Sequence, residues 1–239
     1  MVRVRKEAKI VILILAVVIG VRFAVHLLFF RPYNEAELQR YLYGPFGEAT
    51  AGLGQDDVPD LLKDYLYALN EKGYYSRNKI ISGAMLRYVF SLNVKAFSDG
   101  PFDAADNLAL CVFPPDSVSS ELKQKLLWIS RSYRLRRALS EKKLFYYDLV
   151  LSSYRYNRQT ILELCTEKMG KDFFELSSYE LFILAVLVRD AYLAVNEDDF
   201  AFVLGVCSEY EKQLKKAGFR FSDAFYRDKD VFSKSGIAD

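Results

Sequence analysis

Residues 10–30 form an apolar stretch, IVILILAVVIGVRFAVHLLFF, and no other feature of the sequence restricts its fold as strongly. The stretch is 21 residues long, and about 20 apolar residues cross a hydrocarbon core as a helix. A helix is required there because lipid offers the backbone no hydrogen-bond partners. A cleaved signal peptide also has a basic start and an apolar centre. Here the stretch ends in Phe29, Phe30, Arg31 and Pro32, without the small-x-small spacing of a cleavage site, and no cysteine is placed for lipid attachment. The expectation is therefore an uncleaved, single-pass transmembrane anchor.

Charge near the ends of such a span sets its orientation. Arg3, Arg5, Lys6 and Lys9 precede the stretch, while only Arg31 and Arg40 follow closely. The basic N-terminus, residues 1–9, is expected in the cytoplasm. The rest of the chain is expected outside it, on the periplasmic side of an inner membrane. Arg22 and His26 interrupt the apolar stretch four residues apart, on one helix face. Arg22 either snorkels toward the head groups or makes an intramembrane polar contact with another helix, with His26 beside it.

The formal charge of +2 hides an asymmetry. Residues 1–40 hold seven basic and three acidic residues, and the remainder holds 26 basic and 28 acidic ones. A nearly neutral domain gives no support to nucleic-acid binding.

Beyond the anchor, helical periodicity dominates and strand alternation is absent. Residues 31–56 read as a linker: RPYNEAELQRYLYG is expected to hold a short helix capped by Asn34 before Glu35 and Glu37, and Gly44, Pro45, Gly47, Gly52 and Gly54 then break structure. These glycines lack the Gly-Lys-Ser/Thr of a phosphate loop. Helices are expected over 57–73, 78–96, 119–139, 141–154, 159–169, 178–195 and 200–216, with a short apolar piece over 108–113. In the 119–139 helix, Trp128, Ser132, Leu135 and Leu139 share a face and Arg131, Arg134 and Arg137 share another. LFILAVLV, residues 181–188, is apolar all round, which marks a helix at the centre of a core. Residues 219–239 read as a loosely ordered tail. The expected fold is all-α: a transmembrane helix, then a helical bundle or repeat-like domain of αα-hairpins over 57–218.

The pair of helices over 178–218, joined by the acidic turn Asn196-Glu-Asp-Asp199, resembles a tetratricopeptide-type helical hairpin. That resemblance covers about forty residues and implies a helical-repeat surface for protein binding. The Trp-x-x-Leu-Gly-x-x-Tyr pattern of that family is not in the sequence.

Chemistry is sparse by comparison. His26 is the one histidine, so the domain lacks the commonest general base and metal ligand. Cys111, Cys165 and Cys207 have neither Cys-x-x-Cys nor zinc spacing. They read as buried thiols, with a Cys165–Cys207 bridge left open. Asp56-Asp57 and Asp198-Asp199 read as helix-start acids. No cofactor or metal is expected. One stretch stands out: residues 121–143 hold eight basic residues against two acids. Arg131, Arg134, Arg136 and Arg137 are the candidate partner-binding residues, facing either an acidic protein surface or anionic lipid head groups. The expected function is a non-enzymatic scaffold or assembly subunit of a membrane or envelope complex. The alternatives are a lipid or hydrophobic-ligand binding module and, less favoured, a carboxylate enzyme.

Overall fold

A computed structural model describes residues 17, 20, 31–48, 50, 52–70, 74, 75, 103–113, 121–157, 159–190, 193 and 200–234. Nine α-helices and no strand occur among these residues, so the domain is all-α. The apolar stretch 10–30 lies outside the described residues apart from Val17 and Gly20, as does the helix expected over 78–96. Among the described residues no helix is long and apolar enough to cross a membrane.

The helices are α1 (Glu35–Leu38, continued by a π-helical turn Gln39–Tyr43), α2 (Asp60–Leu69), α3 (Ala104–Val112), α4 (Glu121–Ala138), α5 (Glu141–Asn157), α6 (Ile161–Met169), α7 (Ser178–Arg189), α8 (Phe200–Lys216) and α9 (Asp223–Lys234). Their ends follow local chemistry. Ser177 and Glu180 form a reciprocal capping box at the start of α7, and Thr160 and Glu163 do the same at α6. Gly170 closes α6 in the left-handed region at φ 66°, where a side chain would be strained.

Helix α7 is the hub. Residues 179–188 are all buried, as an all-round apolar helix requires. Helices α2, α5, α8 and α9 pack on it. Phe182 meets Tyr65 of α2 at a ring-centroid distance of 5.3 Å and Phe225 of α9 at 5.5 Å. Burying each such ring contributes about 1.5–3 kcal/mol. A second layer forms where α3 packs against both α4 and α5, and α5 carries that layer to the hub.

Two regions expected to be loose are built into the core. The linker contributes Leu38, Leu42 and Leu53 to it, and the Tyr146 hydroxyl donates to the Leu53 carbonyl at 2.6 Å. Gly52 is needed in this segment: its φ is +80°, and a Cβ there would sit 3.0 Å from Leu162. The domain thus includes residues that the sequence assigns to a connector. Residues 223–234, expected within a loose tail, form α9. Its Phe225 and Phe232 are buried against Tyr179 at 5.3 and 5.5 Å. The Asp228 carboxylate accepts from the Ser178 amide at the start of α7 at 3.0 Å, and Lys229 pairs with Glu211 of α8 at 2.5 Å. Apolar spacing and charge pairing together make this segment a helix.

Candidate functional site

Helix α4 carries most of the basic stretch, and its turn distributes the arginines over different surroundings. Trp128, Ser132, Leu135 and, just beyond the helix, Leu139 are buried as their spacing predicts. Arg136 is four residues from Ser132 and eight from Trp128, so it shares that inner face. It is 1% exposed. Its assignment as a partner-binding residue is therefore corrected: the guanidinium faces the interior and is engaged there.

Arg136 Nη2 donates to both Asp103 carboxylate oxygens at 2.7 Å and to Asp106 Oδ1 at 3.2 Å. The Ser132 hydroxyl donates to Asp106, and Trp128 Nε1 donates to the Asp106 carbonyl at 3.1 Å. Asp103 also caps α3 by accepting from the Asp106 amide at 3.1 Å. Burial, then the neighbouring Asp106, push the Asp103 carboxyl up to about 6 against the opposing pull of Arg136. Beside this set, Asn107 donates to the Tyr74 hydroxyl at 2.7 Å, and the Asp148 carboxylate of α5 acts on the phenols of Tyr74 and Tyr75. Burial and then Asp148 hold both phenols far above their ordinary range. The arrangement ties α3, α4 and α5 together as a polar clamp.

The outer face behaves differently. Arg134 lies over the Tyr33 ring, 3.9 Å from its centroid. Its Nε donates to the Arg31 carbonyl at 2.8 Å and its Nη2 to Glu37 at 2.8 Å. Arg31 reaches the same Glu37 oxygen at 2.9 Å. Burial would raise Glu37, but the Asn34 amide, Arg134 and Arg31 together hold it below its ordinary value. Arg131 lies 4.5 Å from the centroid of Phe113, and Arg40 lies 5.4 Å from that of Tyr41. The three rings pack on one another, Tyr33 to Tyr41 at 5.8 Å, Tyr33 to Phe113 at 6.0 Å and Tyr41 to Phe113 at 5.2 Å. Between them and α4 is an open cleft of about 420 Å³, lined by Tyr33, Tyr41, Phe113, Leu127, Ser130, Arg131 and Arg134.

The structure therefore brings Arg131 and Arg134 to one cleft, leaves Arg137 exposed, and buries Arg136. Arg22 and His26 lie outside the described residues. Sequence reasoning missed Tyr33, Tyr41 and Phe113. The signal available was the tyrosine spacing in RPYNEAELQRYLYG, directly after the apolar stretch.

The remaining candidates are structural. Cys165 and Cys207 are separate buried thiols, and burial pushes both up to about 12. Asp57 does not cap α2, which starts after Pro59. It accepts from the Gly54 amide at 2.7 Å, and Asp56 pairs with Lys142 at 2.5 Å. Asp198 and Asp199 lie outside the described residues. Among the described residues, no three His, Cys, Asp or Glu side chains are grouped to hold a metal ion. No family model matches this sequence, and none of the curated proteins compared with it is similar.

Proposed function

We propose that this chain is a single-pass membrane protein whose helical domain serves as a non-enzymatic scaffold or assembly subunit in a membrane complex. Residues 10–30 supply the span, the basic residues 1–9 stay in the cytoplasm, and the domain faces the periplasm. The observation that best supports this is the junction between stretch and domain. Arg31 directly follows the apolar stretch, and its carbonyl is held by Arg134. Tyr33 is buried two residues later. A domain fixed this close to a span is held at one height and angle on the membrane, which suits docking rather than free diffusion.

The docking surface in this reading is narrower than the whole basic stretch, since Arg136 is internal and Arg134 grips the junction. Arg137, the exposed arginine of α4, is its candidate contact residue. Full-length protein, crosslinked in cells and purified in mild detergent, is expected to bring a reproducible set of membrane proteins. Their recovery should fall severalfold with Arg137→Glu. Recovery of the protein alone, or its release from membranes by alkaline carbonate, overturns the reading. One observation favours lipid binding as a second role, namely the arginine-lined cleft at the junction.

A further inference from the structure

We propose that the cleft between Tyr33, Tyr41, Phe113 and Arg131 binds the phosphate head group of an anionic membrane phospholipid. The proposal rests on the anchored reading above, because the anchor is what sets the height of the cleft. Tyr33 comes three residues after Phe30, the last apolar residue of the stretch. Three residues reach at most about 10 Å. The head-group layer occupies roughly the outer 5–7 Å on each side of the hydrocarbon core. The covalent chain thus keeps the cleft at or just above head-group depth.

The lining suits that layer. Tyrosines at a membrane surface place the ring toward apolar matter and the hydroxyl toward water. Each of the three rings also carries a guanidinium, from Arg134, Arg40 and Arg131. Arg134 and Arg31 share one acid, Glu37. Arg40 and Arg131 have no carboxylate within 4 Å among the described residues. Glu35, the other acid of α1, acts on Tyr147. Arg131 therefore brings unanswered positive charge into the cleft, and Arg40 adds to it from beside the Tyr41 ring, both as planar forks that match two phosphate oxygens at once. A zwitterionic lipid brings its own ammonium against that surplus, so the charge selects for the anionic class.

The test uses the full chain in nanodiscs made from equal parts phosphatidylglycerol and phosphatidylcholine, with retained lipids weighed by native mass spectrometry. Two unpaired arginines predict roughly thirtyfold preferential retention of phosphatidylglycerol. Replacing Arg40→Met and Arg131→Met together removes two positive charges, and is expected to cut the preference more than tenfold, down to the level that the basic residues 1–9 and the Arg31–Arg134–Glu37 set sustain. Circular dichroism checks the fold. If the pair does not fold, Arg131→Met alone decides, because Arg131 lines the cleft, and the preference should fall roughly fivefold. Equal retention of both lipids by the wild type, or an unchanged preference in the folded variant, overturns the head-group site. Excess inorganic phosphate is expected to leave the lipid in place. Displacement by it overturns the lipid assignment in favour of a soluble phosphate ligand. Failure of the chain to enter nanodiscs at all overturns the anchor itself, so the two failures are distinct.

Discussion

Arg134 and Arg136 stand two residues apart on α4 and occupy opposite surroundings. Arg136 is sealed among Asp103, Asp106 and Ser132, with its charge answered by carboxylates. Arg134 is half-buried, lies on a tyrosine ring, and grips a backbone carbonyl and a partly exposed acid. A buried charge must be paired, and losing its partner is expensive. A guanidinium on a ring near solvent is worth about 0.5–2 kcal/mol. One run of basic residues is thus divided by the helical turn into an internal clamp and an external grip. Counting charges along the sequence cannot separate the two.

The most severe break in this comparison is Arg136→Met. It strands Asp103 and Asp106 in the interior and should cost about 3–5 kcal/mol, read by denaturant unfolding of the full chain in detergent. Adding Asp103→Asn and Asp106→Asn should restore a large part of that loss. A cost below about 1 kcal/mol for the single change would mean that the clamp is not closed in the protein. Next is Arg134→Ala, which should cost about 1–2 kcal/mol through the lost ring contact and hydrogen bonds. Its signature is local: amide exchange should rise over 31–43 and stay unchanged in α7. Equal deprotection of both segments would erase the distinction between grip and core.

Smallest is a difference in pH response. The folded chain binds the Asp103 proton more tightly than the unfolded chain, where an aspartate titrates near 4. That stabilisation is complete below about pH 4 and is lost as pH rises through about 6. The wild type should therefore lose thermal midpoint relative to Asp103→Asn across this interval, and parallel curves would remove the raised carboxyl. Glu37 at the outer grip has the opposite sign. Its carboxyl is held low, so its contribution is present above the unfolded value and is lost only as pH falls.

Helix periodicity made much of the fold legible. Phe200–Lys216 has the bounds its pattern predicts, Ser177 caps the hub helix, and the Trp128 face of α4 is buried. What could not be read depended on distant segments. The charge of Arg136 suggested surface, and only α3, some thirty residues earlier, supplies the acids that allow its burial. Its spacing from Ser132 and Trp128 was nonetheless a usable sign. The glycines of residues 44–54 suggested a loose connector, whereas Gly52 serves a left-handed turn against Leu162. Tyr33 and Phe113 sit eighty residues apart, and their rings meet only in the folded domain, beside Arg131 and Arg134 of α4. The candidate site was therefore half visible: its arginines were, and its rings were not.

The central position of α7 has a consequence for the order of events during synthesis. Tyr179 and Phe182 emerge from the ribosome with one side still uncovered, because Phe225 and Phe232 close over that side. Until residues 225–232 have been made, that side of the hub faces water or whatever attends the nascent chain. The hub is thus made before the helix that covers this side of it.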